Sequence, residues 1–302
     1  MFTHNLPFQT PTLIVGCGYL GKRVAVALTR QFPENRVYAT TRSDVTATQL
    51  SAHSILPIIA DWTDRRSLAH LPTCGRVLVA VSYDSRSGKT REESQVGGLS
   101  NLLEFLPAGA DICYISTTGV YHQTDGRWVD EASPARPRAP GGLSHLRAEE
   151  LLHRHRPHGK WTILRLAGIY GPGRIPRAAD VIARRPLEGS QGGYLNLIHV
   201  TDAASAVLAS WQVEFRRRLY VVADDRPVIR RQFYEQVARR AGVVAPAFMT
   251  EEVESRSTFL SSRSGSNKRI WNRRFRRELM PRLAYANYID GLSAIDVFDR
   301  KS

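Results

Sequence analysis

Residues 12–28, TLIVGCGYLGKRVAVAL, constrain this chain more than any other stretch. A short apolar run meets three glycines, Gly16, Gly18 and Gly21, and passes straight into an amphipathic helical pattern. With no linker between them, helix and strand must pack against each other as a βα unit. Similar units follow. Apolar runs at 36–41, 55–61, 76–82 and 111–117 alternate with helix candidates at about 19–31, 44–52, 64–70 and 91–106. Near-continuous Val/Ile/Leu strands separated by helices predict a parallel sheet covered on both faces, a doubly wound α/β (Rossmann) fold.

Beyond these, PGGLSHLRAEELL (140–152) predicts a helix that Ser144 can cap, followed by a sixth strand at 161–168 and a seventh at 218–224. The irregular GPGRIPR (171–177) and the Arg-rich segment near 270–280 predict a smaller lobe. The expected organisation is a nucleotide-binding core over 1–168 and a C-terminal substrate lobe over 169–302, interleaved through the strand near 218–224, which returns to the core sheet.

The glycine spacing GxGxxG at a strand-to-helix turn has a chemical reading besides a structural one. Gly16 allows the tight turn, Gly18 lets backbone approach a pyrophosphate, and Gly21 lets helix pack on strand. The amides of the helix start, from Tyr19 and Leu20, add positive potential. A dinucleotide is the expected ligand. At the end of the second strand no carboxylate is available to bind a ribose diol; Thr41 and Arg42 stand there instead, and a guanidinium can grip a 2′-phosphate. NADP is therefore expected over NAD, the alternative being that Arg42 stacks on adenine while NAD binds. Asp61 either accepts from the adenine amine or caps the helix beginning near Asp64, and Ser82, closing the fourth strand, completes the cofactor set.

The net charge of +14 invites a polyanion partner. Only five of the basic residues are lysines, the 37 arginines are dispersed, and no aromatic-interleaved basic repeat is visible, so nucleic acid is set aside. Three cysteines without CxxC spacing, Cys17, Cys74 and Cys113, fit reduced thiols. The N-terminal MFTHNLPFQ lacks a basic leader, and no run approaches the roughly 18 apolar residues of a membrane span, so a cytoplasmic protein is expected. No metal-ligand spacing appears among the nine histidines.

Together with the glycine turn, ISTTGVY (115–121), RLAGIYGPGR (165–174), NLIHVTDAASAV (196–207) and VADDRPVIRRQFYEQVARRAG (222–242) resemble the extended short-chain dehydrogenase/reductase superfamily. The likeness is to its NAD(P)-dependent epimerase/dehydratase branch, and within it to small bacterial proteins labelled nucleoside-diphosphate-sugar epimerases. The resemblance implies that Thr117 holds a substrate oxygen. It also implies a Tyr-x-x-x-Lys pair on the next helix, where an ungapped count falls on Gly142 and Leu146, with Glu150 matching a glutamate common later in that helix. A gapped reading brings His145 or Arg147 near the lysine's place. Of the other titratable groups, His122 stands where relatives commonly have glycine.

Sugar-nucleotide members commonly carry an arginine just before the IHV motif, where this chain has Leu195 and Asn196. Arg174 and Arg177 could meet an anionic substrate or simply be solvated. The resemblance further implies a homodimer through helices at about 91–106 and 144–156, the first interrupted by Gly97 and Gly98. The expected function is an NAD(P)-dependent oxidoreductase or epimerase-like enzyme acting on a small carbonyl or hydroxyl substrate, sugar-nucleotide-like ones included. The alternative is a non-catalytic NADP-binding sensor or scaffold.

Overall fold

The structure is a computed structural model that describes residues 10–214, 217–249 and 266–295; the stretch MFTHNLPFQ, read above for a leader, lies outside the described residues. The chain forms two compact units. Unit 1 comprises Met1–Ser116, Ser144–Arg165 and Ala204–Tyr220; unit 2 comprises Thr117–Leu143, Leu166–Ala203 and Val221–Ser302.

Unit 1 is built on a seven-stranded sheet. Its strands are β1 (Thr12–Val15), β2 (Val37–Thr41), β3 (Leu56–Ile59), β4 (Arg76–Val79), β5 (Asp111–Thr117), β7 (Lys160–Leu166) and β11 (Arg218–Val222), in the order β11-β7-β5-β4-β1-β2-β3. The pairs β1–β2, β1–β4, β2–β3 and β4–β5 are parallel, with Thr12 opposite both Val37 and Arg76. From β1 the chain steps outward to β2 and β3, then returns to the other side of β1 for β4. The reversal between β1 and β4 is where a doubly wound sheet opens a crevice at its carboxyl edge.

Alternation along β1 explains why helices cover both faces. Leu13 and Val15 pack with Leu99 and Leu102 of α3 (Gly98–Phe105) and Leu152 of α4 (Pro140–His155). Ile14 points the other way, close under Gly21 at the start of α1 (Gly21–Gln31). Edge strand β3 departs from the two-face expectation: Leu56 and Ile59 are 44% and 54% exposed. Its apolar run marks strand propensity, not burial.

Two helix readings change in detail. The candidate at 64–70 is a single 3₁₀ turn, Arg65–Leu68, capped by the Asp64 carboxylate. Leu71 before Pro72 is biased away from helix, so the turn does not propagate. The glycine pair at 97–98 does not break its helix: a π-type turn, Glu93–Gly97, runs into α3. A Cβ at Gly98 would stand 2.6 Å from the Trp62 ring, so the indole lies directly on the helix backbone. Helix α4 begins at Pro140, well before the Ser144 cap expected from sequence, because proline is tolerated in a first turn.

Unit 2 contains short paired strands. β6 (Trp128–Val129) runs parallel to β13 (Arg269–Ile270), and β8 (Gly168–Tyr170) runs parallel to β10 (Leu197–His199). β9 (Tyr194–Leu195) is antiparallel to β12 (Val228–Ile229). The expected strand 161–168 thus stops at Leu166, and Gly168 opens a different pairing. Tyr170, Leu197, Val228, Phe233 and Val237 form the core, with the helices α5 (Ala178–Ile182) and α7 (Arg230–Arg240), and α6 (Val200–Ser210) begins here and continues into unit 1 from Ala204. No helix among the described residues is long and apolar enough to cross a membrane.

Candidate active site

The glycine turn after β1 divides its three glycines by what surrounds them. Gly16 has φ +90°, its N–H donates to Thr40 Oγ1 at 3.2 Å, and a Cβ there would stand 2.7 Å from the Ala80 backbone. A Cβ at Gly21 would reach 2.4 Å from the Gly16 carbonyl oxygen. The fold itself requires both. At Gly18 a Cβ would meet nothing within 4 Å. That open space faces a cleft of about 490 Å³ lined by residues at the carboxyl ends of β1 to β4, among them Gly16, Gly18, Thr41, Asp61, Trp62 and Ser82.

The amino end of α1 has no side-chain cap, so its orphan amides are not spent on one. The Cys17 thiol beside it is pushed up to about 11, chiefly by burial against the opposing pull of Lys22, and stays neutral. Tyr19 is covered by Arg23, whose guanidinium lies 4.0 Å over the ring and donates to the Tyr19 carbonyl, while Leu20 is buried beneath the turn. The turn, its glycines and the cleft meet the steric needs of a pyrophosphate-linked ligand.

Arg42 also lines the cleft, in company that sequence spacing gave no sign of. Its Nη2 donates to Asp84 Oδ2 at 2.9 Å, and its Nη1 lies 3.8 Å from Asp61 Oδ2. The Arg42 hydrogen bond, followed by the Arg86 amide, holds the Asp84 carboxyl below its ordinary range. Asp61 accepts from both Thr63 N and Thr63 Oγ1, and Asp64 caps the following turn itself. Lys89, Ser94 and Trp62 are further cleft residues the sequence did not single out.

Where β5 meets α4, a buried polar group forms. Glu149 accepts from Arg165 Nη2 at 2.6 Å, Arg165 Nε at 3.0 Å and Ser116 Oγ at 2.5 Å. Glu149 is buried and Glu150 exposed, so the interior glutamate of α4 lies one position before the ungapped count. His145 Nδ1 shares a hydrogen bond of 2.9 Å with the Tyr114 hydroxyl. Burial, then the charge of Arg91, lowers His145 to about 4, and burial raises Tyr114 far above its usual value. Both are therefore neutral near pH 7. Arg147 instead pairs with Glu92 at 3.0 Å.

Within unit 2, Thr117 Oγ1 accepts from the Gly119 amide at 3.0 Å and caps the turn Thr118–Val120. A Cβ at Gly142 would come 2.3 Å from the Gly119 carbonyl oxygen, so backbone occupies the room a side chain there would need. Burial, then Arg138 and Lys268, lowers His122. Lys268 is itself buried and donates to the Tyr121 carbonyl at 3.0 Å.

The expected substrate residues make contacts within the protein. Asn196 donates to the Lys268 carbonyl at 2.9 Å and accepts from Ile270 N at 2.7 Å, holding β13 in place. Arg177 has φ 55° and pairs with Asp180 at 2.5 Å; the Arg174 backbone pairs with Gly171. No cluster of three or more potential metal ligands occurs among the described residues.

The model of the NAD dependent epimerase/dehydratase family matches residues 12–223. The Escherichia coli K12 protein YeeZ is 28% identical over 243 residues, which cover 78% of this chain and 85% of YeeZ. A solved structure from Silicibacter pomeroyi, described as a conserved protein of unknown function, is 27% identical with a TM-score of 0.77, covering 97% of this chain and 100% of that one. A structure from Methylobacillus flagellatus, described as a candidate NAD-dependent epimerase/dehydratase, is 29% identical with a TM-score of 0.73, covering 95% of this chain and 97% of that one.

Proposed function

The chain belongs to the NAD dependent epimerase/dehydratase family, and on that premise we propose that it is a nicotinamide-dinucleotide-dependent oxidoreductase or epimerase-like enzyme acting on a small carbonyl or secondary alcohol. The observation that carries this reading is the open approach at Gly18, between two glycines the fold cannot replace, at the mouth of the cleft where the sheet reverses. Bound nicotinamide would supply or accept a hydride. Gly16, Gly18, Gly21 and the amides of Tyr19 and Leu20 receive the pyrophosphate, Thr41, Arg42 and Asp61 the adenosine end, and Ser82 lies farther along the cleft.

Thr117 holds the substrate oxygen. Its Oγ1 already accepts from the Gly119 amide, which leaves the hydroxyl proton free to donate. Proton handling falls to His145, with His122 as the second candidate. With the Tyr114 hydroxyl donating to Nδ1, the neutral imidazole of His145 carries its proton on Nε2 and can donate from there. The Arg165–Glu149–Ser116 group fixes the register of α4 against β5 and so positions that ring. Asn196 ties its amide to β13 where sugar-nucleotide members place an arginine, which favours a small substrate over a nucleotide-linked one. The free thiols Cys17, Cys74 and Cys113 fit a reducing, cytoplasmic setting.

A second reading, a dinucleotide-binding sensor or scaffold without turnover, draws on the filled space at Gly142. A panel of small carbonyls and secondary alcohols, followed at the nicotinamide absorbance band, separates the two. Enzyme activity predicts a rate that Thr117→Ala lowers by about 10²-fold or more in kcat/KM with coenzyme affinity unchanged. Coenzyme binding with no turnover across the panel supports the sensor, and turnover indifferent to Thr117→Ala removes the oxygen-holding role.

A further inference from the structure

Arg42 alone reads as a grip for a 2′-phosphate, but the fold has given it a resident carboxylate. The Asp84 side chain comes from the loop after β4 and meets the guanidinium at 2.9 Å across the cleft. It is not a swinging partner. Asp84 Oδ1 accepts from the Arg86 amide at 3.0 Å, the Asp84 carbonyl accepts from Ser87 Oγ at 2.7 Å, and the Tyr83 hydroxyl donates to the Lys89 carbonyl at 2.9 Å, with the Arg91 guanidinium 4.1 Å over the Tyr83 ring. The loop therefore presents its carboxylate in a set position.

Among the residues lining this end of the cleft Arg42 and Lys89 balance Asp61 and Asp84, and the exposed Arg86 Nε lies 3.7 Å from Asp84 Oδ1. An uncharged ribose diol leaves that balance intact and finds carboxylate acceptors. A 2′-phosphate, carrying roughly −1.5 to −2 charges, would stand beside two carboxylates and would have to draw Arg42 away from Asp84. We propose that Asp84 is a specificity-determining residue which, by occupying Arg42, turns an apparent phosphate grip into a site that favours the unphosphorylated dinucleotide NAD. This rests on the dinucleotide reading above. It also assigns the discrimination to a residue 42 positions beyond Arg42 rather than to the end of the second strand.

The test is fluorescence titration of NADH and NADPH into the full chain and into the Asp84→Asn, Arg42→Ala and Arg42→Ala/Asp84→Asn variants at one fixed salt concentration. Asp84→Ser, which keeps an oxygen for the Arg86 amide, guards against a distorted loop. The wild-type chain is expected to bind NADH more tightly. Asp84→Asn and Asp84→Ser should move the NADPH:NADH affinity ratio toward NADPH by about tenfold or more, a change of about 1.4 kcal/mol. The shift should vanish when Arg42 is alanine. A ratio within about twofold of wild type in both Asp84 variants, wild-type preference for NADPH, or an equal shift without Arg42 overturns the inference while leaving dinucleotide binding intact. If folded protein binds neither coenzyme in any variant, the dinucleotide reading falls and this proposal with it.

Discussion

Two glycine-rich helix starts, one at Gly16–Gly21 and one at Gly141–Gly142, use the same residue to opposite ends. In the first, Gly16 and Gly21 are pressed against backbone so that Gly18 can remain open, and the opening faces the cleft. In the second, backbone fills the space beside Gly142: the Gly119 carbonyl oxygen stands 2.3 Å from where its Cβ would be. Missing side chains leave an opening in one place and are matched by filled space in the other. A glycine is informative only with its surroundings.

The largest expected effect comes from the closed positions of the first turn. Gly16→Ala sets a Cβ into the Ala80 backbone at φ +90° and should cost about 3 kcal/mol or more, read by chemical denaturation. A loss under about 1 kcal/mol would mean the turn is not held as described. Gly142→Tyr, which places a tyrosine where the ungapped count expects one, should destabilise by about 2–3 kcal/mol through the clash with Gly119 and confer no turnover. A stable, more active variant would erase the contrast between the two turns.

A smaller effect concerns His145, three residues after Gly142. Its folded-state pKa is lowered from 6.5 to about 4, so its contribution to stability is complete above pH 6.5 and is lost as the pH falls through 4. Urea denaturation at pH 7 and pH 4 should show a His145-dependent loss of about 2 kcal/mol that His145→Gln removes. An unchanged pH profile in that variant would place the ring in water. The smallest effect is expected at Thr117→Ala, where loss of the cap on the Gly119 amide should cost about 1 kcal/mol in thermal unfolding.

The strands of unit 1 were legible because buried parallel strands leave continuous apolar runs, as β1 and β4 do. Edge strand β3 carries a similar run with Leu56 and Ile59 exposed, a difference that depends on neighbours rather than on local sequence. Part of the cleft lining was legible because it falls at the ends of the strands, with Gly16 and Gly18 after β1 and Thr41 and Arg42 after β2. Asp84 was not, since only the fold brings it to Arg42. In α4, Glu149 and Glu150 are adjacent glutamates, and only the buried Arg165 shows which faces inward. Asn196 shows the same limit, because its partners Lys268 and Ile270 lie more than 70 residues away in sequence.

The most direct test compares wild type with Gly18→Ala by NADH and NADPH titration alongside thermal unfolding. The open space at Gly18 predicts saturable binding to the wild type. In the variant the melting temperature should stay within about 4 °C, while affinity falls by about tenfold or more as the new methyl enters the pyrophosphate's approach. Wild-type protein that binds neither coenzyme at about 1 mM, or a Gly18→Ala variant that binds as well as wild type, would contradict the account.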